Sequence, residues 1–211
     1  MSYETLVWLH AGGGGIALFA GGVAATARKG GPAHVLGGRI FAFAMAFTAA
    51  SAVVLAILEP NAFLLGIGLF TAYLLTSGWA WIRPAPHDVR LRRVRFAAVG
   101  GLAAAAYLVA TAVEANLDVV LLVFAGVTLL LSLADLLRPA DPDAYAARHA
   151  GRMGGAYIAA ATAFLVVNLD DAPRLLVWLG PTIVGTPLIT RAVRRFRARD
   201  PQDDPGIAQA S

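Results

Sequence analysis

The sequence predicts an all-α, polytopic membrane bundle of about seven transmembrane helices, with the amino terminus outside and the carboxy terminus in the cytoplasm. Three observations carry this prediction. Of the 211 residues, 58% are hydrophobic and 14% are charged, and the mean hydropathy is +0.68. A soluble domain carries about a quarter charged residues, so lipid must be the solvent for most of this chain. Apolar runs of spanning length recur from end to end, each near the roughly 20 residues one crossing needs. Arginines gather at alternate turns, as cytoplasmic loops require.

The predicted spans are 6–27, 35–58, 62–82, 96–113, 117–137, 150–169 and 175–192, forming one transmembrane domain over 1–196. The first is stopped by Arg28-Lys29-Gly30-Gly31-Pro32, and the second by Glu59-Pro60-Asn61. Arg83-Pro84 ends the third, and a charged stretch from Asp88 to Arg95 precedes the fourth. Ala115 and Asn116 make a tight turn into the fifth, which Arg138-Pro139 breaks. A short amphipathic stretch from Asp141 to Arg148 leads into the sixth. Asp170-Asp171-Ala172-Pro173 turn the chain into the seventh. The polar tail, 197–211, holds two prolines and is expected to be disordered. Met1-Ser2-Tyr3-Glu4 carry no positive charge before the first apolar run, so no cleavable signal is expected.

Orientation follows from the cations. Sixteen of the 17 basic residues fall in the first, third and fifth connections, in the starts of the helices after them, and beyond helix seven. Only Arg174 falls on the other face, which instead holds Glu4, Glu59, Glu114, Asp118, Asp170 and Asp171. The basic face is therefore assigned to the cytoplasm. Losing one span would scramble this alternation, so the same pattern supports the count of seven.

A weak internal repeat is also visible. Helices one to three and five to seven are triplets that begin on the same side, with helix four as connector. The second helix of each opens on His34-Val35-Leu36-Gly37-Gly38-Arg39 or on His149-Ala150-Gly151-Arg152. A 3+1+3 parallel repeat is the arrangement this predicts.

Ionisable residues within spans are the functional candidates. His10, Gly14, Ala17 and Gly21 share one face of helix one. Small residues there admit another helix or a flat ligand such as haem b, with His10 as its cofactor ligand. A second histidine is missing at that depth, and interhelical packing accounts for the same stripe. At the cytoplasmic mouth, a pseudo-two-fold packing would bring together His34, Arg39, His149 and Arg152 near the first turns of helices two and six. Helix amino termini favour anions, so a phosphate, a carboxylate or an anionic lipid headgroup would suit this place. The plainer account makes these residues positive-inside anchors. Arg39 and Arg152 are expected to snorkel to the headgroups, which puts both histidines at or outside the interface.

Tyr157 and Asn168 share a stripe of helix six and extend the candidate ligand-binding set. Tyr73, Thr76 and Ser77 cluster on helix three; such groups usually bond between helices, each contributing under about 1–2 kcal/mol. Asp135, near the inner end of helix five, is placed to pair with an inner arginine. Trp8, Trp79, Trp81 and Trp178 lie near span ends, as interfacial anchors do. Pro181 and Pro187 are expected to bend helix seven.

The sequence also sets several classes aside. There is no cysteine, hence no disulfide and no thiolate metal site. Helix seven lacks a lysine for a retinal Schiff base. No glycine-rich nucleotide loop or zinc-protease motif is present, no metal site or catalytic residue is assigned, and an enzyme is not expected. The pI near 10.0 reflects orientation signals, so nucleic acid is not an expected partner.

Residues 34–45, 59–65, 149–168 and 178–188 resemble segments of an uncharacterised family of small bacterial multi-pass membrane proteins. The resemblance implies a bacterial inner-membrane location and brings no activity, cofactor or catalytic residue with it. Three functional expectations follow. The first is a protein that binds or moves a small molecule or anionic lipid around His34, Arg39, His149 and Arg152. The second is a b-type haem protein using His10 or the inner histidine pair. The third is an accessory subunit.

Overall fold

A computed structural model of the chain describes residues 2–137, 142–169 and 171–197. Seven α-helices cover almost all of them: α1 (Tyr3–Thr26), α2 (Pro32–Leu58), α3 (Ala62–Ile82), α4 (His87–Glu114), α5 (Val119–Leu137), α6 (Tyr145–Asn168) and α7 (Arg174–Arg197). A single 3-10 turn, Pro142–Ala144, precedes α6. Each helix is long and apolar enough to cross a membrane, and no strand occurs among the described residues. The chain is a multi-pass, all-α membrane protein. Arg138, Pro139, Asp141, Asp170 and the tail from 198 onward lie outside the described residues.

Local chemistry starts each helix. Ser2 Oγ accepts from the Thr5 N–H at 3.2 Å, and Asn61 Oδ1 from the Leu64 N–H at 2.9 Å. Asp118 Oδ1 does the same for the Leu121 N–H at 3.1 Å. Pro32 opens α2, where its missing N–H costs nothing. The turn expected at Ala115-Asn116 is tight: Asn116 and Leu117 both take positive φ (55° and 61°), so α5 begins after Asp118.

Two helix starts differ from expectation. α4 begins at His87, so the charged stretch before Phe96 is helical, and α6 begins at Tyr145 instead of 150. Hydropathy marks the lipid-immersed length, not the helix. At 1.5 Å per residue, the 28 residues of α4 extend about 42 Å, well beyond a hydrocarbon core of roughly 30 Å.

Short connections make successive helices antiparallel. One end of the bundle, here the basic end, gathers the α1–α2, α3–α4 and α5–α6 connections. α3 is central and packs on α2, α4 and α6, while α6 also packs on α7 and α1. α7 is peripheral, with Val177 its one buried side chain among those described; Pro181 and Pro187 lie inside a continuous helix. The core joins Phe70, Leu74, Leu108, Leu121, Phe124 and Ala156. Large apolar side chains cover the lateral faces, including Phe96 (84% exposed) and Phe19 (80%), as lipid contact allows and water would not.

Glycine sets the closest helix approaches. A Cβ at Gly21 of α1 would lie 2.5 Å from the Tyr157 ring of α6, and one at Gly78 of α3 would lie 2.9 Å from Arg152 Cβ. The two triplets have different neighbours. α1 packs along the length of α2, whereas α5 meets α6 chiefly through long side chains.

Candidate functional site

A buried carboxylate organises the basic end. Asp135 sits two residues before the end of α5, and its side chain has no exposed surface. Isolated in an apolar interior, such a charge would cost several kcal/mol. Here it has donors on every side. On α3, Tyr73, Ser77 and Trp81 recur every fourth residue and so share one helical stripe. Ser77 Oγ donates to Asp135 Oδ2 at 2.6 Å and Tyr73 Oη donates to the same atom at 2.9 Å. Trp81 Nε1 reaches Oδ1 at 3.3 Å. From α6, Arg152 Nη2 donates to Oδ1 at 2.7 Å and its Nε to Oδ2 at 3.4 Å, a fork-on-fork pairing. Arg148 Nη1 lies 3.5 Å from Oδ1. The Arg152 Nη2 also donates to Leu131 O at 3.2 Å. One carboxylate thus ties three helices together, including two that scarcely approach by backbone.

An aromatic and cationic layer closes over this group. The Arg148 guanidinium lies 4.7 Å from the centre of the Trp81 ring, and that of Arg90 4.2 Å from Tyr145. The Trp81 and Tyr145 rings are 5.6 Å apart. His87 Nδ1 and Tyr145 Oη share a hydrogen bond of 2.6 Å, which ties the start of α4 to the start of α6.

Two expectations are corrected here. Arg152 does not snorkel to the headgroups: it is 6% exposed and turns inward, because Asp135 supplies its counter-charge on the neighbouring helix. Trp81 is not an interfacial anchor but fully buried, since its N–H finds the same carboxylate. Trp178 likewise packs edge-on against Phe63, with ring centres 4.7 Å apart. Trp8, 77% exposed, stays at the lateral surface.

The remaining predicted residues divide. His34 Nδ1 donates to Ala24 O at 2.9 Å, the end of α1, and His149 Nδ1 to Gly78 O at 2.9 Å, near the end of α3. Both rings are half-buried. Their depths agree. The Phe41 and Tyr157 rings meet at 6.1 Å between centres. His34 precedes Phe41 by about two turns of α2, and His149 precedes Tyr157 by about two turns of α6. Both helices start at the basic end, so the histidines stand on one level above the aromatic pair. Arg39 is exposed on α2 with no hydrogen bond or ion pair among the described residues. Asn168 lies at the opposite end of α6, exposed, donating to Phe164 O at 2.7 Å.

The α1–α2 turn adds a cavity that the sequence did not reveal. About 380 Å³ opens at this turn, lined by Arg28, Lys29, Gly30, Gly31, Pro32 and Ala33. Lys29 Nζ donates to Ala24 O at 3.0 Å and Ala25 O at 2.5 Å, capping the end of α1. Burial holds its ammonium below the usual lysine range. Gly31, at the start of α2, offers no side-chain cap to that helix's free N–H groups.

His10 is half-buried in α1. Ser51 Oγ donates to Thr48 O at 3.0 Å, which leaves it to accept from His10 Nδ1 at 3.0 Å. The small-residue stripe beside it is covered. Thr48 stands against Gly14, Ala17 is fully buried, and Tyr157 and Phe41 stand against Gly21.

At the end opposite the basic one, Arg174 Nη2 donates to Asp118 Oδ2 at 2.6 Å. Desolvation pushes the Asp118 carboxyl up, but the Leu121 N–H and Arg174 outweigh it, and the group sits below the usual carboxylate range.

Of the central group, the Asp135–arginine pairing was legible from depth alone. Tyr73 and Ser77 stand out in the sequence with Thr76 as a polar cluster on this helix, but Trp81 reads there as an interfacial residue; the four-residue spacing of Tyr73, Ser77 and Trp81 is the signal that would have joined them. Comparison with protein-family models, curated proteins and solved structures finds no match.

Proposed function

We propose that this chain is a multi-pass protein of a bacterial inner membrane, amino terminus out and carboxy terminus in, that binds an anionic lipid headgroup at its basic end. The cavity at the α1–α2 turn carries the reading. It places Arg28, Lys29 and the uncapped first turn of α2 around one space open to the surface. A phosphate there meets two cations, free N–H groups and the positive end of a helix dipole. The level suits a headgroup, because the turn sits where the apolar spans stop. Arg39, exposed further along α2, adds another cation on the same helix. Arg152 takes no part, since Asp135 already neutralises it.

The test compares thermal unfolding of the protein in nanodiscs of phosphatidylglycerol and of phosphatidylcholine. The expected result is a higher midpoint in the anionic lipid that disappears in the Arg28→Gln/Lys29→Gln double variant. Equal midpoints in the two lipids, or a shift that survives the double substitution, would overturn the reading.

A further inference from the structure

The cavity at the α1–α2 turn is one end of a longer surface. We propose that its ligand is a polyisoprenyl phosphate: a phosphate monoester held at the turn, on one hydrocarbon chain that follows the lipid-facing seam of α1 and α2 to a groove in the far half of the membrane. The inference rests on the headgroup reading and narrows it to one class of lipid.

The groove is a second cavity of the same helix pair. About 400 Å³ opens at the lateral face between Trp8, Gly12 and Ile16 of α1 and Ala44 and Phe47 of α2. A side chain at Gly12 would meet nothing within 4 Å, so the space there is open. The sequence joins this groove to the turn. Leu9, Ile16 and Val23 recur every seventh residue of α1, and Ala33, Ile40 and Phe47 do the same on α2. Seven residues are close to two helical turns, so each set forms one stripe. All six are exposed, and the stripes adjoin where Val23 stands against Gly37. Ala33 lines the turn cavity, while Ile16 and Phe47 line the groove, so the seam starts in one and ends in the other.

Length selects the chain. Gly12 lies 14 residues before Thr26, the end of α1, which is about 21 Å along the helix. One leaflet of hydrocarbon is about 15 Å deep, half of a core of roughly 30 Å. The acyl chains of an ordinary phospholipid anchored at the turn therefore stop short of the groove. A polyisoprenyl chain passes the midplane and enters it. Charge selects the headgroup. Arg28 and Lys29 pair with no carboxylate among the described residues. A phosphate monoester carries a charge of about −1.5 to −2 near neutral pH and so balances both cations, which the single charge of a phosphodiester does not.

The test is photocrosslinking of the full-length protein in phosphatidylcholine nanodiscs, with undecaprenyl phosphate carrying a diazirine on its terminal isoprene unit. Mapped by peptide mass spectrometry, the crosslinks should fall in 8–16 and 44–47. They should drop at least tenfold in Arg28→Gln/Lys29→Gln, which releases the phosphate, and in Gly12→Leu, which fills the groove. Gly100→Leu, at an equally open position on α4, should crosslink as the parent does. Farnesyl phosphate with the same terminal label should mark the seam short of the groove, near Val23 and Ile40. Groove crosslinks that survive Arg28→Gln/Lys29→Gln would overturn the proposal, because the chain would then sit there without its phosphate. So would equal labelling by undecaprenol, a farnesyl label that reaches the groove, crosslinks scattered over every helix, or none at all. The higher midpoint in phosphatidylglycerol is a separate readout: if it stands while the crosslinks fail, the long chain is wrong and the headgroup reading survives.

Discussion

The two ends of the bundle hold the same kind of ion pair in opposite settings. At the basic end, Asp135 is stripped of solvent and surrounded by Tyr73, Ser77, Trp81, Arg148 and Arg152. At the other end, Asp118 meets Arg174 in a single short bond, with the arginine side chain 56% exposed. Coulomb attraction is common to both. What differs is the cost of losing a partner: water rehydrates the outer pair, while nothing rehydrates the inner one. The inner pair is therefore architecture, and the outer pair is a local fastening of α7 to the start of α5.

The largest expected effect tests that contrast directly. Asp135→Ala leaves Arg152 buried without a counter-charge and should destabilise the protein by about 3–5 kcal/mol, read from unfolding in mixed micelles. Adding Arg152→Met should recover part of that loss, and a double-mutant cycle measures how much. A smaller effect is expected at the helix contact beside it. Gly78→Ala brings a methyl against Arg152 Cβ and should cost about 1–3 kcal/mol by forcing α3 and α6 apart. Tyr73→Phe removes one of several donors to the carboxylate and should cost roughly 0.6–1.7 kcal/mol, the range for polar contacts between membrane helices.

The smallest effect belongs to the outer pair. Arg174→Ala should change stability by no more than about 1 kcal/mol, since the pair is exposed. Its pH dependence has a definite sign. The folded Asp118 holds its proton less tightly than the unfolded chain, whose carboxyl titrates near 3.8. The stabilisation is thus complete above that pH and is lost as pH falls through the lower folded value. An unfolding series below pH 4 should show the loss in the parent and a reduced one in Arg174→Ala. An Arg174→Ala cost as large as that of Asp135→Ala would erase the distinction between the ends.

Spans, their number and the sorting of charge were readable because hydrophobic length and arginine placement are one-dimensional signals. Asp135 was readable as an arginine partner because depth can be counted along a helix. What composition hid was direction. Arg152 near a span end looks like a snorkelling side chain until its counter-ion on α5 is known, and that partner is 17 residues away in sequence. Trp81 at the last turn of α3 looks like an interface residue for the same reason. The start of α4 was hidden by its charges, which mark the edge of the lipid and not of the helix. The cavity at the α1–α2 turn depends on how Arg28 to Ala33 curl, which no periodicity encodes.

The attachment of α5 also implies an order of assembly. A ribosome delivers α3 first, with the hydroxyls of Tyr73 and Ser77 and the indole of Trp81 already arrayed for an acid. When α5 enters the bilayer, its carboxylate can dock on those groups at once, before any guanidinium has been synthesised. The arginines of α6 then arrive to find an anion in position. Each costly charge thus enters the lipid only after the group that receives it, and a nascent chain halted after α5 would already hold three of the five side chains that surround Asp135.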